Sequence, residues 1–212
     1  MTTTGPRRRD PLAGGDLARP RGPRAGVPAA ARRGDVLRHV LDHATVWGID
    51  PPRTALFGES CGALIAALIA LRGKDIRAQV MVNPALDVTA KMFDHDSMTR
   101  HAQSPMLTMN LLRFFHTLAI PLGTDPEPLP PLHADLTGVA PALVVVPTVD
   151  PVADHGRRYV ERLREAGTPA RLTEHPGAPH AFLSLPNLMP QAKIARAEIT
   201  AFLREHLADQ SS

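Results

Sequence analysis

Five residues, Gly58-Glu59-Ser60-Cys61-Gly62, separate two apolar runs of different length. The run before them, Arg53–Phe57, has the length of a buried strand. The second run, which begins within them and reaches from Ser60 to Arg72, is apolar on nearly all sides, has the length of a helix and closes at Gly73. A chain that passes from strand to helix within a residue or two must turn sharply, and glycines on either side of the serine meet that demand. G-x-S-x-G in a strand–turn–helix setting is a nucleophile elbow. Ser60 would then project above the sheet, with the Cys61 backbone N–H at the helix N-terminus facing any developing oxyanion. The alternative is a glycine-bounded helix start that Ser60 merely caps.

The rest of the chain supports a sheet of parallel strands with helices between them. Val36, Leu37, Val40, Leu41, Ala44 and Trp47 recur at helical spacing after Asp35, an N-cap residue type, and Gly48 with Pro51-Pro52 ends that helix. Strands are expected at Ala78–Val82, stopped by Asn83-Pro84, at Ala142–Val146 and at Ala170–His175. Helices are expected over Val152–Ala166 and around Ile194–Leu203. Strand–helix alternation of this kind predicts an α/β fold with a parallel sheet. Residues 85–140 break the alternation, with one helix near Pro105–Leu118 and a proline-rich run from Pro121 to Pro131. They read as an insertion at the carboxyl ends of the strands, where ligands bind in open α/β sheets.

A serine hydroxyl needs a base, and the base needs an orienting carboxylate. Asp150 follows the strand Ala142–Val146, and His180 follows the strand Ala170–His175. Both fall in loops on the sheet edge that carries Ser60, in the chain order serine, acid, histidine. Taken singly, Asp150 could be a helix N-cap and His180 an ordinary loop histidine.

These residues resemble the hormone-sensitive-lipase-like branch of the α/β-hydrolases, the fold-3 esterases. The elbow Gly58–Ala63 stands where that family has G-D-S-A-G-G. Gly48-Ile49-Asp50-Pro51 matches its lead-in, Ala140–Gly167 its acid-bearing block and Pro176–Phe182 its histidine loop. The resemblance covers residues 35–212. It implies an α/β-hydrolase fold and carboxylic ester hydrolysis through an acyl-enzyme, with Ser60, Asp150 and His180 as nucleophile, acid and base, no cofactor, and a small ester, short in its acyl chain, as substrate. Glu59, Met106, Phe114 and Phe182 are the candidate substrate contacts and Cys61 the oxyanion donor.

Departures from the family carry expectations too. Ala63 and Ala181 replace glycines and would crowd the site, and the Asp-Glu pair after the acid reads Asp154-His155. The family's front half, with four strands and a His-Gly-Gly-Gly oxyanion loop, has no counterpart here. Loss of one oxyanion donor typically costs about 3–4 kcal/mol. The strand Arg53–Phe57 would be a bare edge, open to pairing with a second copy of the chain. A catalytically impaired remnant or binding module is the rival reading.

Composition separates the ends of the chain from one another. Residues 1–34 hold eight Arg, two Asp, five Pro and six Gly, and predict a disordered arm that cannot offset its ordering entropy. Its arginines would suit an anionic partner, or serve only to solvate an arm without a role. Arg outnumbers Lys 21 to 3 across the chain, so a stretch of GC-rich gene read in the wrong frame is a third account. Residues 35–212 carry 16 basic and 19 acidic groups, which argues against a nucleic-acid surface. One cysteine excludes a disulfide scaffold. No apolar run is long enough to span a bilayer and no leader pattern is seen, so the expected location is cytoplasmic.

Met92, Met98, Met106, Met109, Phe93, Phe114 and Phe115 gather in the insertion. They read equally as a pliable acyl pocket or as an amphipathic helix packed on the sheet. His39 and His43 are four apart on a helix, but no third metal ligand accompanies them, and no metal is expected.

Overall fold

The structure is a computed structural model that describes residues 36–73, 75–120 and 130–208. The arm at 1–34, its Asp35 neighbour and most of the proline-rich run lie outside the described residues. Four strands form one parallel sheet in the order β1 (Ala55–Glu59), β2 (Ala78–Val82), β3 (Ala142–Val149), β4 (Ala170–Pro179). The helical residues 36–42 (α1) are followed by α2 (Ala44–Trp47), α3 (Cys61–Ala70), α4 (Asp96–Arg100), α5 (Met109–Ala119), α6 (Ala153–Glu165) and α7 (Pro190–Leu207).

Both sheet faces are covered, because residues alternate sides along a strand. Met81, Val144 and Val146 pack with α3 and α6 through Ala63, Ala67, Tyr159, Val160 and Leu163. Val80, Val82, Leu143 and Val145 face the other way, onto Phe182, Ala195, Ile199 and Phe202. A buried polar thread crosses the first layer. The Tyr159 hydroxyl donates to Gln79 Oε1 at 3.0 Å, and Gln79 Nε2 donates to the Ala140 carbonyl at 2.7 Å. Each buried polar group on the thread thereby finds a partner.

Several boundaries differ from the sequence expectation. Arg53 belongs to a 3-10 turn (Pro51–Arg53), and β1 runs on to Glu59, directly against Ser60. β3 continues through Pro147 to Val149. A proline is tolerated there because pairing with β2 stops at Val145, leaving its missing N–H without a ladder partner to lose. β4 extends to Pro179. These extensions carry the strands up to the loops that hold the polar residues. The first helix breaks at His43 and resumes as α2, ending at Gly48 in the left-handed conformation (φ 64°). Among its described residues the insertion contains two α-helices and two 3-10 turns, Ala90–Asp94 and Pro131–His133, instead of one helix. The Thr108 hydroxyl accepts from Leu111 N–H and starts α5 at Met109, later than Pro105.

Candidate active site

Ser60 has φ 55° and ψ −120°, a left-handed conformation rare for a residue with a side chain. The tight turn explains one of its flanking glycines. A Cβ on Gly58 would come within 2.4 Å of the Gly62 carbonyl oxygen. Gly62 itself faces open space, so the close approach of strand and helix demands glycine at only one of the two positions. Neighbouring backbone holds the turn: Ser60 N–H donates to the Val82 carbonyl at 2.9 Å, and the Ser60 carbonyl accepts from Ala63, Leu64 and Ala85. Ala63 does not crowd the site. It is fully buried in the first core layer.

The Ser60 hydroxyl makes no capping bond to α3. It lies instead 2.9 Å from His180 Nε2, and His180 Nδ1 lies 2.7 Å from Asp150 Oδ2. Asp150 is fully buried. Its other oxygen, Oδ1, accepts from the Val152 N–H at 3.0 Å, so both carboxylate oxygens are occupied. With Nδ1–H donating to the carboxylate, Nε2 is free to accept from the serine. A proton can therefore pass from Ser60 Oγ to His180 within hydrogen-bond reach. Cys61 opens α3, so its N–H is among those that no intrahelical carbonyl accepts.

The loop carrying Asp150 is tied to the insertion. Ser97, fully buried, donates from Oγ to the Pro151 carbonyl (2.6 Å) and accepts there from the Asp154 N–H (3.2 Å). Ser97 N–H donates to the Asp154 carboxylate (2.8 Å), and Ser104 Oγ donates to the Val149 carbonyl (2.6 Å). Nothing in the sequence marked these serines. They come from a segment remote in sequence whose hydroxyls answer main-chain groups, a match that no local pattern carries.

The other candidates fare differently. Glu59 sits beside Ser60 at the end of β1. Burial pushes its carboxyl up, with the neighbouring His180 pulling it back, and its Oε1 has no hydrogen-bond partner. Phe182 does not reach the site surface: it is fully buried in the second core layer against the His175 ring. The chain turns into the core directly after His180, which removes Phe182 from the candidate substrate contacts. Met106 and Phe114 are exposed on the insertion, as are Leu111, Phe115 and Leu118. Met92 and Met98 pack with Leu107, Leu112 and Val152 in a small core of their own. The insertion thus divides its apolar residues between packing and an open face. Ala181, in place of the family glycine, takes the left-handed conformation at φ 57°.

The rings of His39, His43 and Trp47 gather across the break between α1 and α2, with the two imidazoles 4.2 Å apart and His43 stacked on Trp47. Among the described residues no group of three or more His, Cys, Asp or Glu side chains could hold a metal ion. A polar cleft of about 560 Å³ lies elsewhere, lined by residues that include Asp87, Lys91, His95, His133 and Arg157. None of Ser60, Asp150 and His180 lines it. Position within the fold, rather than cleft size, therefore directs attention to Ser60.

A family model of the alpha/beta hydrolase fold matches residues 20–184. The chain belongs to the α/β-hydrolase family. Among relatives, this α/β-hydrolase is 31% identical over 180 residues to carboxylesterase NlhH of Mycobacterium tuberculosis, a match that takes in 81% of this chain and 56% of that protein. It is 28% identical over 182 residues to an ethyl acetate hydrolase of Pseudomonas putida, with 82% and 56% covered. Its structure superposes on EstE1, a thermophilic and thermostable carboxylesterase cloned from a metagenomic library, with a TM-score of 0.79 at 27% identity, covering 87% of this chain and 66% of that one. The chain spans about half the length of the curated relatives it matches. No helix among the described residues is long and apolar enough to cross a membrane.

Proposed function

We propose that this α/β-hydrolase is a serine carboxylic ester hydrolase acting on small esters of short acyl chains. Ser60 Oγ attacks the ester carbonyl while His180 Nε2 takes its proton. Asp150 keeps the imidazole in the required tautomer and orientation, and the Cys61 N–H donates to the oxyanion. His180 then returns the proton to the leaving alcohol, and water releases the acyl group from Ser60 by the same route. The observation that carries this reading is the unbroken relay from Ser60 through His180 to Asp150, at 2.9 and 2.7 Å, set on a strained turn. The esterases among its relatives support the ester class. The short acyl chain rests on the resemblance alone.

A second reading, a binding module with little turnover, is favoured by one feature. The oxyanion donor assigned among the described residues is the Cys61 N–H at the start of α3 alone. Intact mass after treatment with a fluorophosphonate separates the two. A single adduct, absent from Ser60→Ala, is expected of the hydrolase. A folded protein without an adduct would leave the binding module.

A further inference from the structure

Each of the four strands leads into a polar residue of the same cluster. β1 leads to Ser60, β3 to Asp150 and β4 to His180, while β2 leads to Asn83, which the proton relay does not use. Asn83 has φ 34°, in the left-handed region that asparagine tolerates better than most residues with a side chain. Pro84 follows it and restricts it further. Neighbouring backbone holds it there. Asn83 N–H donates to the Val145 carbonyl of β3 at 2.8 Å, and Val82 and Ala85, which flank Asn83-Pro84, bond the Ser60 backbone, Val82 O to Ser60 N–H and Ala85 N–H to Ser60 O. The side chain is 1% exposed. Its Nδ2 lies 3.4 Å from His180 Nε2, and its Oδ1 has no partner. Strained backbone and an unpaired buried amide oxygen each cost stability, and together they mark a position held for a reason other than packing.

We propose that Asn83 is a positioning residue for His180, its amide packed beside Nε2 and its Oδ1 accepting the Nε2–H once the Ser60 proton has moved there. The inference rests on the acyl-transfer reading of Ser60. When Oγ bonds to the ester carbon, its proton passes to Nε2, and the Oγ lone pairs become poorer acceptors. The new N–H then needs an acceptor until the leaving alcohol takes the proton. The amide oxygen and nitrogen have the same shape, so a half-turn of the Asn83 amide exchanges donor for acceptor without repacking. Asp150 holds the ring from its opposite nitrogen, and Glu59 is the other charged group that acts on it.

The test compares Asn83→Gly with Asn83→Asp, two residues that tolerate the left-handed backbone. The readouts are the rate of fluorophosphonate labelling at Ser60, the Tm, and the low-field proton resonance of the His180 Nδ1–H. Asn83→Gly is expected to label about ten- to a hundredfold more slowly with Tm unchanged or raised, and its resonance to broaden. Asn83→Asp, which keeps an acceptor, is expected to recover most of the rate and a sharp resonance. Labelling of Asn83→Gly at the wild-type rate would overturn the proposal, as would equal slowing in both variants. If the wild type does not label, the acyl-transfer reading falls and the resonance alone decides. Sharp in the wild type and broad in Asn83→Gly supports the positioning role, whereas the same resonance in both, or none in either, overturns it.

Discussion

Acidification from neutral pH is expected to cost the fold about 3 kcal/mol through a single side chain, His155. It sits on α6, fully buried, with its ring 4.7 Å from that of His95. Its Nδ1 accepts from the Asp87 N–H at 3.4 Å, and Nε2 has no partner. Burial above all, and then the nearby His95, press the imidazole from its ordinary 6.5 down to about 4, against the opposing pull of Asp87 and Asp154. Between those two values the unfolded chain takes a proton that the folded chain refuses. The stability is therefore full above pH 6.5 and drains as pH falls to about 4, by up to about 1.4 kcal/mol per pH unit. Asp87 extends the loss to lower pH. Burial alone would raise its carboxyl, but the His95 imidazole 3.8 Å away, hydrogen bonds from Thr89 and the His133 imidazole at 3.2 Å outweigh burial and hold it well below the carboxylate range. The assay is urea unfolding followed by circular dichroism, from about pH 7.5 down to about pH 4.5, for the wild type and His155→Gln. The variant's stability should fall by about 2.5 kcal/mol less across the window. Parallel curves would refute the reasoning, because the acid slope would then belong to other groups.

Gly58→Ala should lose about 1–3 kcal/mol and the Ser60 labelling with it, while Gly62→Ala, whose Cβ meets nothing within 4 Å, should be neutral or stabilising in thermal unfolding. The reverse order would refute the account of the turn. Ser97→Ala removes the bonds to the Pro151 carbonyl and from the Asp154 N–H, and should cost about 1–3 kcal/mol and slow labelling of Ser60; unchanged labelling would show that the Asp150 loop stands without it. The outer edge of β1 is unpaired among the described residues and carries Phe57, 53% exposed. Self-association through that edge should appear in light scattering and weaken in Phe57→Lys, whereas a wild type that stays monomeric at high concentration would count against it.

Ser60, Asp150 and His180 were legible as candidates because each follows a strand whose apolar run and proline or glycine punctuation can be read directly. In a parallel sheet, consecutive strand ends share one edge, so order along the chain translates into proximity in space. Strand ends were less legible. β1, β3 and β4 all run past the ends read from the sequence, Phe57, Val146 and His175, because pairing with a neighbour, and not side-chain type, decides where a ladder stops. Phe182 was misplaced for a related reason. An aromatic residue two positions from the candidate base looks like a pocket wall, yet the turn at Ala181 sends it into the core.

Periodicity, glycine placement and the spacing of a few polar residues were enough to determine the strand–helix alternation, the sharp turn at Ser60 and the chain order of the three candidate residues. All of these are local properties, set by backbone sterics and by which side chains avoid water. Tertiary structure alone decided that Asn83 meets His180, that Ser97 clasps the Asp150 loop, and that His155 is shut away beside Asp87. Those contacts join residues far apart in the chain. They are settled by the packing of whole elements against each other, and leave no periodic trace in the segments that make them.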